Sequence, residues 1–242
     1  MNPVRIAELL DPFLRSPIVL GDSRLSEAVL SPAQLQSIST YINILLRWNA
    51  RINLTAIRDP EEIVTRHFGE SFFAARHLYP ADHVRLSGRA ALQGRVTGQE
   101  EIGALAPESV ADVGSGAGFP GLPLKLWAPH LSLTLIESNH KKAAFLREVA
   151  RALTLTDVDI QNVRSETIAQ TFDLVTLRAV ERFEAILPTA AALVAPTGRM
   201  ALLISAAQQP QTLSTLPSLI WSEPVPVPQS RSRILLIARR LA

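Results

Sequence analysis

The apolar positions of this chain change period near its middle. Ser31-Pro32-Ala33-Gln34 carries helix-start signals: a capping serine, a proline in the first turn and a glutamine three residues after the cap. Leu35, Ile38, Ile42, Leu45 and Leu46 then recur at helical spacing as far as Trp48, so one face of this helix is buried. Asp59-Pro60-Glu61-Glu62 repeats the signal and predicts a second helix to about Leu78, with Ile63, Phe68, Phe72 and Ala75 on its apolar face. Before them, Pro3, Pro12, Pro17 and Gly21 interrupt residues 1–30 and leave room for a short helix and a loop. After them, residues 82–108 contain Gly88, Gly94, Gly98 and Gly103 without a period, which predicts a surface insertion or linker.

From Ser109 the pattern becomes short apolar runs alternating with helical segments, the mark of a parallel sheet covered on both faces. Strands are predicted at 109–113, 131–136, 158–163, 172–177 and 199–205. A last one, at 234–237, is reached through a proline-rich stretch at 224–228. Helices are predicted at 141–153 and, interrupted by Pro188, at 184–194. The expected organisation is a helical cap over residues 1–81, a connection over 82–108 and an α/β domain over 109–242.

Composition narrows the chemistry. The 242 residues are 47% hydrophobic and 19% charged, as in a foldable globular chain. With no cysteine there is no disulfide, thiolate metal site or cysteine nucleophile, and five scattered histidines lack a metal-ligand spacing. Arg5, Glu8, Asp11 and Arg15 do not suit a signal peptide, and no apolar run approaches the ~20 residues that span a bilayer, so a cytoplasmic protein is expected. A net charge of +2 means that any nucleic-acid surface must come from local clustering. Two of the three lysines, Lys141 and Lys142, stand side by side.

The first strand runs into Gly114-Ser115-Gly116-Ala117-Gly118-Phe119-Pro120, a glycine loop before a helix start. Such a loop lets a ligand lie on the backbone, against exposed amides and the positive helix end. The second strand ends at Glu137, roughly twenty residues on, where dinucleotide-type folds place the carboxylate that holds ribose hydroxyls. Strand, loop, helix, strand and acid make a nucleoside-binding half-site. Its GxGxG spacing differs from the GxGxxG dinucleotide fingerprint, and S-adenosylmethionine enzymes use the same geometry.

The stretch from Asp112 to Gly121 (DVGSGAGFPG), followed by LIESNHKKAAFL at 135–146, closely resembles the bacterial small-subunit ribosomal RNA guanine-N7 methyltransferases, also called glucose-inhibited division protein B. The resemblance covers most of residues 35–200. Trp48 to Thr55 resembles that family's WNxxxNLT, and Arg66 to Ser71 its RHxxDS, with Glu70 in place of aspartate. Arg164-Ser165-Glu166 resembles its RAE, with serine for alanine, and Arg178-Ala179-Val180 its RAV. After the fifth strand the family's lysine and glycine are replaced by apolar residues.

The resemblance implies a class I S-adenosylmethionine-dependent methyltransferase with a Rossmann-like sheet and an N-terminal helical extension. Gly114, Gly116, Gly118 and Phe119 would face the cofactor, Glu137 its ribose, and Ser165 and Glu166 its adenine. Arg178 would stand at the cofactor–substrate junction and position the substrate, with no general base and no metal. Asn53, Arg66, His67, Lys141 and Lys142 would meet RNA. The implied partner of this monomer is 16S ribosomal RNA or the small-subunit particle.

Plainer readings stand beside these roles: turn chemistry for Asn53 and Thr55, an i,i+4 ion pair on a solvated face for Arg66 and Glu70, and an ordinary ion pair for Arg178. The chemistry is compatible with N7. Carbon-5 methylation of a pyrimidine usually needs a cysteine, and amine methylation usually places a [DN]PP[YFW] segment where this chain has Thr176 to Val180. A ring nitrogen already presents a lone pair. An NAD-dependent oxidoreductase would share the half-site, and a non-catalytic ribosome-assembly factor or an rRNA methyltransferase of other atom specificity would share the fold.

Overall fold

The computed structural model describes residues 1–15, 19–20, 23–24, 28–80, 107–179 and 183–241. The expected insertion therefore lies outside the described residues, apart from its last two. Among the described residues three helices precede the sheet: α1 (Pro3–Leu14), α2 (Pro32–Asn49) and α3, continuous over 60–78. The predicted capping box opens α2: the Gln34 amide donates to the Ser31 hydroxyl, and the Ser31 amide donates to the Gln34 side chain. Within α3, Ile63–Gly69 is wound as a π-helix between α-helical ends. Gly69 is required there by contact, since a Cβ would lie 2.6 Å from the Phe13 ring of α1.

The sheet is built from β1 (Ser109–Val113), β2 (Ser132–Ile136), β3 (Val158–Gln161), β4 (Phe172–Arg178), β5 (Val194–Ser205), β6 (Leu219–Trp221) and β7 (Arg233–Arg240). Its order is β3-β2-β1-β4-β5-β7-β6, and a two-residue strand at Val225–Pro226 adds to β7. The first five strands are parallel, whereas β7 lies antiparallel between β5 and β6. This is a Rossmann-like arrangement, closed by an antiparallel last strand. The chain order reverses between β1 and β4, so the loops leaving those two strands flank the crevice where such sheets bind ligands.

Alternate strand residues feed two cores. Val110, Leu133, Leu174, Leu203 and Leu235 pack with α1 to α3 and with α4 (Gly121–Trp127) and α5 (His140–Ala152). Ala111, Val175, Leu202 and Leu236 pack with α6 (Phe183–Ala192) and with Leu216, which caps α7 (Gln209–Thr215). The N-terminal helices are thus part of the layer on one sheet face. They share its hydrophobic core.

Differences from the sequence expectation have local causes. β5 begins at Val194 and not Arg199, because an irregularity near Thr197 (φ 64) lets the strand resume pairing with a shifted register. β7 runs to Arg240, with three residues pairing β6. Neither α7 nor β6 was anticipated: seven and three residues are too short to display a period.

Candidate active site

The glycine loop forms one wall of a cavity of about 830 Å³ at the carboxyl ends of β1 and β4. Gly116 (φ 55) and Gly118 (φ 84) both take left-handed backbone conformations, for different reasons. A Cβ on Gly116 would meet only the Gly114 carbonyl oxygen, in ordinary contact at 3.7 Å, and this residue lines the cavity. A Cβ on Gly118 would lie 2.4 Å from the Tyr41 hydroxyl and 2.7 Å from Leu122. Gly118 does not line the cavity, contrary to expectation. It lets α2 approach the loop, where the Tyr41 hydroxyl donates to the Ala117 carbonyl and the Tyr41 ring stacks on Phe119 at 5.3 Å.

Four of the loop amides are already committed. Those of Gly114 and Ser115 donate to the Ile136 carbonyl at 2.9 and 3.1 Å, and that of Gly118 to Ser115 at 2.6 Å. The Gly116 amide donates to Glu137 Oε2 at 2.8 Å. The amino end of α4 is likewise occupied: Gly121 donates to Asp112 Oδ2 at 3.3 Å, and the Thr176 hydroxyl donates to Oδ1 at 2.8 Å. Burial raises the Asp112 pKa to about 6 against these stabilising hydrogen bonds. The expected exposed amides and helix dipole are therefore met by the protein's own carboxylates. A pyrophosphate would have to compete with these acceptors for the Gly114, Ser115, Gly116, Gly118 and Gly121 amides.

Glu137 lines the cavity from the end of β2, with Oε1 accepting from the Asn139 amide at 2.7 Å. Two amides leave its carboxylate further lone pairs for hydroxyl donors. Ser165, buried, and Glu166, exposed, line the same side in the turn after β3. These positions suit a nucleoside: a carboxylate for ribose, and the turn after β3 for the base.

The facing wall starts at Asn49. Its amide group donates to the Thr55 carbonyl, and its Oδ1 accepts from the Leu54 and Thr55 amides at 2.9 and 3.0 Å. Asn49, and not Asn53, supplies the turn chemistry of this motif. Asn53 is exposed and lines the cavity beside Thr55. The Thr55 hydroxyl lies 2.8 Å from His67 Nε2, and the Ile57 amide donates to it at 3.1 Å. His67 stacks on Phe119 at 4.8 Å, and its Nδ1 is 3.1 Å from Arg178 Nη1.

Arg178 and Glu70 bind this wall together. Arg178 is not on an exposed basic rim: its side chain is 8% accessible. Its Nε and Nη2 donate to Glu70 Oε2 at 3.2 and 3.0 Å, and Nη2 also donates to the Arg66 carbonyl at 2.7 Å. Glu70, 2% accessible, further pairs with Arg66 and with Arg233 of β7. The ion-pair readings of Arg66, Glu70 and Arg178 are thus all realised, but around a buried carboxylate and not on a solvated face. Burial, reinforced by Arg178, Arg66 and Arg233, lowers the His67 pKa to about 3, so the imidazole is neutral at ordinary pH.

Among the expected RNA contacts, Lys142 and His67 line the cavity, whereas Lys141 and Arg66 are exposed outside its lining. Glu70, Arg233, Asn49, Tyr41 and Asp112 were not singled out for these roles, since each acts through a partner remote in sequence or through backbone geometry. No His, Asp or Glu cluster suited to a metal occurs among the described residues, and no described helix is long and apolar enough to cross a membrane.

A family profile described as rRNA small subunit methyltransferase G matches residues 34–85 and 97–225. Curated relatives named ribosomal RNA small subunit methyltransferase G include one from Chloroflexus aggregans, 34% identical over 88% of this chain and 84% of its own. Another, from Listeria monocytogenes serovar 1/2a, is 32% identical over 87% and 84%. A third, from Xylella fastidiosa, is 37% identical over 73% and 71%. Among solved structures, a ribosomal protein L11 methylase from Lactobacillus delbrueckii subsp. bulgaricus aligns at 22% identity and a TM-score of 0.48, over 58% of this chain and 74% of its own. By the extent of the profile match and of these relatives, the chain belongs to the rRNA small subunit methyltransferase G family.

Proposed function

We propose that this protein transfers a methyl group from S-adenosyl-L-methionine to N7 of a guanine in 16S ribosomal RNA. The observation that carries the cofactor reading is the commitment of the Gly114, Ser115, Gly116 and Gly118 amides and the α4 amino end to Glu137, Asp112 and backbone carbonyls. A dinucleotide needs those groups free for its pyrophosphate, whereas a nucleoside with a cationic sulfonium does not. When bound, S-adenosylmethionine supplies the activated methyl group. Gly114, Gly116 and Phe119 would form its floor, Glu137 would hold its ribose, and Ser165 and Glu166 would flank its adenine.

The chain's own contribution is orientation in a shaped cavity. Arg178, held by Glu70 and the Arg66 carbonyl, sits on the Phe119 side of the junction with its guanidinium 6.0 Å from that ring's centre. Asn53, Lys142 and the surface outside the cavity around Arg66 and Lys141 would meet RNA. His67 cannot serve as a base: Nδ1 accepts from Arg178, and Nε2 carries the ring's only proton. A ring nitrogen with a lone pair needs none, which supports N7. We read residues 1–81 as the part that presents the substrate wall and residues 109–242 as the part that presents the cofactor wall. We read the protein as a monomer that acts in the cytoplasm, where its proposed ribosomal substrate is made.

Calorimetric titration with S-adenosylmethionine and with NAD, followed by transfer of labelled methyl to small-subunit RNA, tests the proposal. Binding of the former alone, with label entering RNA, is the expected result. NAD binding with no methyl transfer would replace it by the oxidoreductase reading, and cofactor binding without transfer to naked RNA or to subunits by the assembly-factor reading.

A further inference from the structure

Thr55 is held in a hydrogen-bonding state that only its neighbours' chemistry reveals. An arginine donates and never accepts, so the 3.1 Å contact from Arg178 Nη1 makes His67 Nδ1 an acceptor. A neutral imidazole then carries its proton on Nε2, and that proton is donated to Thr55 Oγ1 at 2.8 Å. The Ile57 amide donates to the same oxygen at 3.1 Å. A hydroxyl has two lone pairs and one hydrogen. Both lone pairs of Thr55 are used, so the hydrogen is all it has left to offer.

Buried Glu70 keeps this arrangement in place by fixing Arg178, and Asn49 fixes the backbone of Thr55 from the other side. Thr55 lines the cavity with Leu54 and Ala56, as do residues of the glycine loop. A neutral residue in the wall has thereby been made an obligate donor at a defined point. An acceptor placed there gains a hydrogen bond, whereas a ring presenting a hydrogen there meets a donor with a donor.

We infer that Thr55 is a specificity-determining residue whose hydroxyl donates to an acceptor beside the nucleophilic nitrogen of the target ring, as guanine presents with O6, and rejects adenine, which presents its amine at that place. This rests on the methyl-transfer reading above and adds to it the group that reads the base. Thr55 would not touch the methyl group. Arg178, His67 and Glu70 act on the base through Thr55 as positioning residues.

The test uses the full chain and a small-subunit RNA fragment containing the guanine that the unmodified protein methylates, mapped with labelled methyl. Thr55→Val keeps the side-chain shape without the hydroxyl, and Thr55→Ser restores the hydroxyl. A second RNA carries 2-aminopurine at the target, which retains N7 and the 2-amine but lacks O6. We expect Thr55→Val to lower kcat/KM on the guanine RNA by about tenfold or more, the scale of one lost hydrogen bond with the O6 acceptor left unpaired, while the cofactor Kd stays within about twofold. Thr55→Ser should stay within about threefold of the parent.

The unmodified protein should lose a similar factor on the 2-aminopurine RNA, and Thr55→Val should lose nothing further there beyond the intrinsic change in N7 reactivity that both proteins share. Equal rates for the parent and Thr55→Val on guanine, losses that multiply across the two RNAs, or a loss confined to cofactor binding would overturn the inference. If Thr55→Val does not fold, the other two arms decide: undiminished methylation of 2-aminopurine by the parent overturns it, as does inactivity of a folded Thr55→Ser. Absence of methylation of guanine RNA by the parent would instead sink the proposed function.

Discussion

The two walls of the cavity are held by different physics. The glycine-loop wall is fixed by backbone: left-handed glycines, amides that close on Ile136 and Glu137, and a carboxylate under the amino end of α4. The facing wall is fixed by side chains, in a chain of contacts from Glu70 through Arg178 and His67 to Thr55. The first is built within one strand–loop–helix–strand unit, from Asp112 to Glu137. The second joins α3, β4 and β7 and exists only once the N-terminal helices have packed on the sheet. A loop of the first kind can therefore serve many ligands, whereas the second kind commits the site to one target.

The largest expected effect breaks the side-chain wall. Glu70→Ala should cost about 3–5 kcal/mol, because it leaves the buried Arg178 charge without its partner. Arg66→Ala, removing a half-exposed arginine from the same carboxylate, should cost under about 1 kcal/mol. Urea unfolding of both variants checks the contrast, and similar losses would mean that the buried pair is not what holds this wall.

Gly118→Val comes next, at about 2–4 kcal/mol from overpacking against Tyr41 together with the strained φ. The loss should appear in unfolding of the protein without ligand. A variant of parental stability that had lost only cofactor binding would restore the expectation that Gly118 touches the ligand.

This glycine also marks where reading the sequence reached its limit. The loop, Glu137 and the strand–helix order were legible because each is a short contiguous pattern with a required residue type. Close approach of a ligand and close approach of a neighbouring helix demand the same glycine, so Gly118 could not be sorted without Tyr41 in place. The Glu70 cluster was less legible still. Its members Arg178 and Arg233 lie 108 and 163 residues away along the chain, and no local pattern links them. The i,i+4 spacing of Arg66 and Glu70 revealed one pair, but nothing local distinguished a solvated face from a buried hub.

Glu137→Ala sharpens the comparison on the loop side. It should weaken S-adenosylmethionine binding by about 1–3 kcal/mol, since a charged acceptor is lost both to the ribose and to the Gly116 amide. Calorimetry should show this with RNA-binding affinity unchanged, and a loss of only a few tenths of a kcal/mol would move the ribose contact elsewhere.

The smallest expected effect is a pH dependence particular to the side-chain wall. The folded His67 titrates at about 3 and its unfolded counterpart near 6.5, so between these values the unfolded chain binds more protons. The contribution of His67 is complete above pH 6.5 and is lost as pH falls toward 3, by about 1–2 kcal/mol on reaching pH 5. Asp112, raised to about 6, acts oppositely over about pH 4–6, because there the folded state holds the extra proton. His67→Gln should accordingly lose the downward slope and leave stability level or rising between pH 6.5 and 5. An unchanged slope would place the titrating group elsewhere.

The measurement that tests the account most directly concerns the atom methylated. Small-subunit RNA made with 7-deazaguanosine keeps the pairing edge and O6 of guanine but has carbon where N7 stands. With labelled S-adenosylmethionine, the protein should methylate the guanosine RNA and leave the 7-deazaguanosine RNA unlabelled while still binding it. Label entering both RNAs alike would contradict transfer to N7 and point to an amine or a ribose oxygen as the acceptor.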